Sequence, residues 1–149
     1  MKRTLELIEG GFFENLPFFR MLPGFLVQFG ISLNTEIHRH WQQQGNIPDD
    51  PRTPDQPAFH DGVVSFAGYA KDSRSTHLFI TLGDQSGLGQ RPWEVPVGQV
   101  TRGMDVIKQI YSYGDKINQG RLSPGWDGHK AYVDSFPKLD YIKGCSVVT

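Results

Sequence analysis

The composition of this 149-residue chain is typical of a folded globular protein, with 38% hydrophobic and 21% charged residues, so we treat residues 1–149 as one domain. Its formal net charge of −1 lacks the basic excess that a nucleic-acid-binding protein needs. No apolar run approaches the roughly 20 residues of a membrane helix, so we expect no membrane association. Cys145 is the only cysteine, which excludes an internal disulfide and favours a reducing compartment such as the cytoplasm.

Two short amphipathic helices are predicted from apolar residues at helical spacing. In the first, Leu5, Ile8 and Phe12 share one face, so the chain opens within a helix. The second covers residues 103–111, and Gly114 lies just beyond its end.

Short strands account for most of the remaining predicted structure. The predicted strands cover residues 18–21, 25–29, 63–67, 78–82, 97–100 and 142–148. Residues 32–60 are polar and rich in Pro and Asp, and we predict a long surface loop without regular structure there. Within that loop, His38 and His40 lack further ligands at a familiar spacing, so no metal site is predicted. Strands this short and this frequent indicate a β-barrel or a β-sandwich.

Three sequence blocks, in order along the chain, resemble the signatures of the cyclophilin family. Residues 18–28, Phe-Phe-Arg-Met-Leu-Pro-Gly-Phe-Leu-Val-Gln, are similar to the family's Phe-His-Arg-hydrophobic-hydrophobic-Pro-Gly-Phe-Met-x-Gln. Residues 62–68 with 77–80, and then residues 97–107, resemble two further family blocks. The resemblance implies a mostly β fold, a cyclophilin-like antiparallel β-barrel that is closed or partly open, with two short helices.

The resemblance also implies that the family's opening β-hairpin, about 30 residues long, has no counterpart ahead of the first helix. In the family this hairpin helps to close the barrel. We therefore expect exposed strand edges, a lower stability than that of a full cyclophilin domain, and self-association that covers the edges.

The function that the resemblance implies is peptidyl-prolyl cis-trans isomerisation, which assists protein folding. Rotation about a peptide bond must break amide resonance, a barrier of about 18–20 kcal/mol, and needs neither a nucleophile nor a cofactor. By the resemblance, Arg20 donates to the prolyl nitrogen of the twisted bond, and Gln28 orients Arg20. The alternative for Arg20 is a surface arginine paired with a carboxylate, and for Gln28 a polar strand residue that faces solvent.

The expected partners are proline-containing peptides or proteins. By the same resemblance, the substrate-binding residues are Phe25, Leu26, Ala67, Gly68, His77, Phe79, Leu88 and Trp93. His77 is either a site residue or a tolerated substitution, and it brings a charge change near neutral pH. Trp93 either fills space in the site or packs within its own loop.

Four positions depart from the family pattern. The family usually has Asn, Gln, Trp and His where this chain has Gly68, His77, Gly87 and Glu94. These departures support an alternative function, a non-catalytic cyclophilin-like module that binds proline-containing peptides. Because an indole is missing at Gly87, we also expect cyclosporin to bind weakly.

Overall fold

The computed structural model describes residues 2–149, which form an antiparallel six-stranded sheet and five helices. The strands are β1 (Leu16–Leu22), β2 (Leu26–Phe29), β3 (Val63–Phe66), β4 (Leu78–Thr81), β5 (Pro96–Gln99) and β6 (Tyr141–Ile142). The helices are α1 (Lys2–Glu9), α2 (Thr35–Gln44), α3 (Met104–Ile107), α4 (Gln119–Leu122) and α5 (His129–Asp134). Within residues 2–149, none of the helices is long and apolar enough to cross a bilayer.

The strand order in the sheet is β5-β3-β4-β2-β1-β6. Hydrogen bonds do not join the two outer strands, β5 and β6, so the sheet curves as a partly open barrel. β1 to β5 agree with the predicted strands to within two residues at each end.

A β-bulge in β1 decides which way Arg20 points. Phe18 pairs with Phe29 and Arg20 pairs with Gln28, so Phe19 is an extra residue on β1. Without this insertion Phe18 and Arg20 would project to the same face of the sheet. With it, Phe18 packs against the main core while Arg20 projects to the opposite face.

The main core lies on one face of the sheet. There Met21, Val27 and Ile80 are paired directly across β1, β2 and β4. Leu7 of α1 and Trp41 of α2 cover this face, and both are buried. A second, smaller cluster consists of Phe19, Ile31, Ile117, Leu122 and Leu139.

The prediction that residues 32–60 lack regular structure is wrong, because α2 lies within them. Its first turn is capped by the Asn34 side chain, which accepts a hydrogen bond from the backbone N–H of Ile37 at 3.0 Å. Trp41, one turn later, buries its indole in the core, and Gly45 ends the helix with a positive φ of 67°. Ile37 and Trp41 stand at the i, i+4 spacing that should have indicated a helix.

The two predicted helices also differ from the observed ones. α1 lies where expected, but it buries Leu7 and leaves Leu5 40% exposed. The predicted helix over residues 103–111 is α-helical only in α3. Beyond it the backbone N–H groups of Gln109 and Ile110 donate to carbonyls three residues earlier, and that of Tyr111 donates to Asp140.

The predicted strand over residues 142–148 is wrong beyond Ile142, because only β6 pairs, with the first residues of β1. Two further helices, α4 and α5, were not predicted from the sequence.

Candidate active site

A row of side chains crosses the sheet on the face opposite the main core. Arg20 of β1 pairs with Gln28 of β2, Gln28 pairs with Phe79 of β4, and Phe79 pairs with Ser65 of β3. Directly paired residues project to the same face of a sheet. The strand register therefore brings three of the predicted site residues, Arg20, Gln28 and Phe79, next to one another.

The Arg20 guanidinium is held from two sides. Its Nη1 donates a hydrogen bond to Oε1 of Gln28 at 3.2 Å, and its Nε donates to Oδ1 of Asp115 at 2.5 Å. Gln28 is only 8% exposed, so it is not a solvent-facing strand residue. Nη2 of Arg20 has no hydrogen-bond partner within residues 2–149, and the side chain stays 28% exposed. The guanidinium is thus oriented by the protein and still accessible to a ligand.

A buried apolar cluster lies beside this row. It consists of Leu26, Phe59, Val63 and Phe79, and Ala67 and Leu88 pack against it. The rings of Phe59 and Phe79 are stacked, with centroids 6.1 Å apart and planes 20° apart. Four predicted site residues, Leu26, Ala67, Phe79 and Leu88, therefore share one cluster, whereas Phe25 lies outside it and is 36% exposed.

A groove cavity of about 460 Å³ lies on the other side of Gln28. It is lined by Gln28, Asn46, Ala67, Gly68, Tyr69, Ser73, Ser75, His77 and Gln119. The cavity brings the predicted residues Ala67, Gly68 and His77 together with Gln28. Its side chains are polar but almost all uncharged, which suits the backbone of an extended peptide.

His77 is the histidine of the groove cavity. Its imidazole packs edge-to-face on Phe19, with ring centroids 5.6 Å apart. Burial, together with the neighbouring His38, lowers the pKa of His77 from 6.5 to about 4. The predicted charge change near neutral pH is therefore wrong, and His77 is neutral at pH 7.

Comparison with known proteins shows the family to which the chain belongs. The family model described as cyclophilin type peptidyl-prolyl cis-trans isomerase/CLD matches residues 1–124. The chain belongs to the cyclophilin-type peptidyl-prolyl cis-trans isomerase family. The predicted family and its reaction class, isomerisation, are confirmed.

Two individual relatives of the chain are peptidyl-prolyl cis-trans isomerases. A peptidyl-prolyl cis-trans isomerase of Encephalitozoon cuniculi is 30% identical over 122 residues, which cover 78% of this chain and 67% of that protein. Peptidyl-prolyl cis-trans isomerase A of Dickeya dadantii is 30% identical over 114 residues, covering 74% of this chain and 58% of that protein.

A solved structure shows the same fold. The crystal structure of a Cryptosporidium parvum cyclophilin-type isomerase in the presence of the dipeptide Ala-Pro is 21% identical, with a TM-score of 0.58. The match covers 77% of this chain and 73% of that one. The predicted cyclophilin-like, mostly β, partly open barrel is therefore confirmed.

One departure from the cyclophilin pattern in the groove, Gly68, lies against the indole of Trp93. A Cβ placed on Gly68 would lie 2.7 Å from Cδ1 of the Trp93 indole and 3.0 Å from Oγ of Ser73. A side chain at position 68 therefore fits only if Trp93 moves. Trp93 occupies the space that the family's usual Asn would need, so glycine at position 68 and the position of the indole depend on each other.

Glu94 has a structural role in the loop of this cyclophilin. Its Oε2 accepts hydrogen bonds from the backbone N–H groups of Gly89, Gln90 and Arg91, at 2.7, 3.0 and 3.2 Å. Nothing lies within 4 Å of the position that a Cβ would take on Gly87, so there is open space where the family has an indole.

Two residues of this site were missed by the sequence analysis. Asp115 contacts Arg20 across 95 positions of the chain, and no local pattern marks such a contact. Phe59 had a usable signal, because it is a large apolar residue in an otherwise polar stretch, and such residues are usually buried.

Proposed function

We propose that this chain catalyses cis-trans isomerisation of Xaa-Pro bonds in peptides and proteins, with Arg20 as the catalytic residue. The observation that carries the proposal is the geometry of the Arg20 guanidinium. Gln28 and Asp115 hold two of its nitrogens, and the third is free beside an apolar cluster that contains Leu26 and Phe79.

The chemistry follows from the electronic change during rotation. In the twisted state the prolyl nitrogen loses its conjugation with the carbonyl and gains a lone pair that can accept a hydrogen bond. A charged donor fixed near this nitrogen stabilises the twisted state more than the planar state. The free Nη2 of Arg20 is such a donor, and no bond is made or broken in the step.

Asp115 and Gln28 act as positioning residues. Each accepts a hydrogen bond from the guanidinium, so together they fix the plane of the fork and the direction of Nη2. Because the protein orients the donor before the substrate arrives, little reorganisation is needed in the twisted state. The carboxylate pairing that was the alternative for Arg20 thus supports the catalytic role.

The apolar cluster seats the proline ring. Leu26, Phe79 and Leu88 supply apolar walls, whereas Phe25 lies outside the cluster at the exposed turn before β2. Apolar walls exclude water from the rotating bond, which strengthens the electrostatic effect of Arg20.

The substrate backbone runs along Ala67 and Gly68. The backbone N–H of Ala67 is already donated to the carbonyl of His77 at 2.9 Å. The carbonyl of Ala67 and both backbone groups of Gly68 have no backbone partner within residues 2–149, so they are available to an extended peptide. Neutral His77 lines the same groove, and Trp93 covers Gly68 with an aromatic surface.

Exchange spectroscopy on an Ala-Pro-containing peptide, with a substoichiometric amount of the chain, tests this proposal. We expect cis-trans exchange well above the uncatalysed rate, which is slow enough to be measured as a baseline. If the peptide binds, as judged by line broadening, but its exchange stays at the uncatalysed rate, the chain is a binding module and the proposal fails.

A further inference from the structure

A cavity of about 600 Å³ lies beside the site proposed above. It separates two segments, residues 52–60 before β3 and residues 84–96 before and into β5. It is lined by Arg52, Thr53, Gln56, Pro57, Ala58, Phe59, His60, Asp84, Gln85, Ser86, Leu88, Gly89, Gln90, Glu94 and Pro96. We refer to it as the outer cavity. Its volume is within the usual range of ligand pockets.

The two walls of the outer cavity are tied together. The backbone N–H of Gln85 donates to the carbonyl of Phe59 at 2.7 Å, and Nη2 of Arg52 donates to the carbonyl of Arg91 at 2.6 Å. Glu94 braces the second segment through its three backbone hydrogen bonds. The space between these ties is therefore a preformed feature of the fold.

The outer cavity adjoins the proposed proline site. Phe59 and Leu88 line the outer cavity, and both also contact the apolar cluster that contains Leu26 and Phe79. Phe59 stacks directly on Phe79. Phe59 and Leu88 are therefore common to the proposed proline site and the outer cavity, and we infer that one extended peptide reaches both.

The chemistry of the lining favours an uncharged apolar group. Phe59, Leu88 and Pro96 supply apolar surface, while the Glu94 carboxylate is occupied by backbone donors. Arg52 and Asp84 carry opposite charges and are both exposed, so they give the mouth no net charge.

We propose that the outer cavity binds a large apolar side chain, aromatic or leucine-like, from a residue close to the proline in the same polypeptide. This inference rests on the proposed function, and it deepens that function by naming the substrate class. The chain is then selective for Xaa-Pro bonds that have a bulky apolar residue within a few positions of the proline.

Two series of short Xaa-Pro peptides test the inference, one with a Phe before the proline and one with a Phe after it. All residues but the proline are Ala in the base peptide, and a single Phe is placed one, two or three positions before or after the proline. The rate of exchange gives kcat/KM, and a titration gives Kd. We expect at least one Phe position to raise kcat/KM about tenfold over the base peptide, the gain typical of a filled apolar pocket.

Variants that fill the cavity provide the matched comparison. Ala58→Trp and Ser86→Trp fill it from its two walls, and neither residue belongs to the proposed catalytic machinery. We expect either variant to remove the Phe gain and to leave kcat/KM for the base peptide unchanged. Thr101→Trp, at an exposed position outside the cavity, is the control variant and should retain the increase in kcat/KM that Phe gives.

The outcomes separate this inference from the proposed function. If no Phe position improves either kcat/KM or Kd, or if the gain survives in both filled variants, the inference is wrong. If the chain binds peptides without accelerating exchange, the proposed function fails, and the Kd values of the same peptides still decide whether the outer cavity binds Phe.

Discussion

The two halves of the candidate site are built in different ways. Arg20, Gln28 and Phe79 lie on neighbouring strands, and their positions follow from one hydrogen-bond register across β1, β2 and β4. Leu88, Trp93 and Glu94 lie in an irregular segment between β4 and β5, whose shape depends on local contacts such as the Glu94 hydrogen bonds. The first half keeps the cyclophilin pattern, and the departures at Gly87 and Glu94 fall in the second.

This difference indicates a division of labour. A strand register tolerates little change, because a shift by one residue turns every side chain to the other face. A loop accepts substitutions and insertions more readily, and it often determines specificity. We therefore assign the catalytic step to the strand-borne half and substrate selection to the loop-borne half.

The largest effect is expected for Arg20→Ala. Losing one preorganised donor to the twisted state costs roughly 10²–10³ in rate. Exchange spectroscopy gives kcat/KM, and circular dichroism confirms that the variant is folded. Arg20→Lys keeps the charge but loses the planar fork that Gln28 and Asp115 hold, so it should recover only part of the activity. An Arg20→Ala variant with wild-type kcat/KM would remove Arg20 from the mechanism.

A smaller effect, about tenfold in KM with little change in kcat, is expected for Trp93→Ala. The indole provides aromatic surface over Gly68 at the proposed path of the substrate backbone. A peptide titration with the variant measures the loss directly. The double variant Trp93→Ala with Gly68→Asn should fold, whereas Gly68→Asn alone should be destabilised by the indole. Equal stability of Gly68→Asn and the wild type would show that the two residues do not compete for space.

A loss of about fivefold in kcat is expected for Asp115→Ala. Its side chain is 66% exposed, and exposed ion pairs contribute no more than about 1 kcal/mol. Asp115→Glu should restore most of the rate, because its carboxylate can still accept from Nε of Arg20. A purely structural role for Asp115 would instead appear as a lower thermal stability with kcat unchanged.

The last effect concerns stability rather than rate, and it arises from the titration of His77. Because burial lowers the pKa of His77 to about 4, the unfolded chain binds a proton between pH 6.5 and 4 that the folded chain does not. The contribution of His77 to the free energy of unfolding should therefore decrease as the pH falls through this window, by about 3 kcal/mol in total, and should level off below it. Urea denaturation across pH 4 to 7 measures this slope.

His77→Gln should flatten the slope, since Gln does not titrate. His40→Gln, a matched change at an exposed position of α2, should leave it as in the wild type. If His77→Gln keeps the wild-type slope, His77 is not the group that titrates.

Predictions from the sequence were most accurate where short-range patterns determine the structure. Arg20 and Gln28 were identified through the resemblance of residues 18–28 to the family signature, and the strand–turn–strand unit around Pro23-Gly24 pairs them across β1 and β2. The bulge at Phe19 was not predicted, since it depends on how two strands fit together rather than on either sequence. Asp115 could not be predicted either, because its contact with Arg20 depends on the whole fold.

Helix α2 was missed for a different reason. The prolines and aspartates at positions 48–54 gave the whole region from 32 to 60 the character of a loop. The capping residue Asn34 and the i, i+4 pair Ile37 and Trp41 were nevertheless present, and they marked a helix ahead of the prolines. Because residues 32–60 were treated as one polar region, the short helix α2 within them was not recognised.

The central claim, that the strand-borne half catalyses and the loop-borne half binds, is tested most directly by one paired measurement. Exchange spectra recorded over a range of peptide concentrations give kcat and KM separately for Arg20→Ala and Trp93→Ala. We predict that Arg20→Ala lowers kcat with KM nearly unchanged, and that Trp93→Ala raises KM with kcat nearly unchanged. A loss of kcat in Trp93→Ala, with only KM affected in Arg20→Ala, would contradict the account.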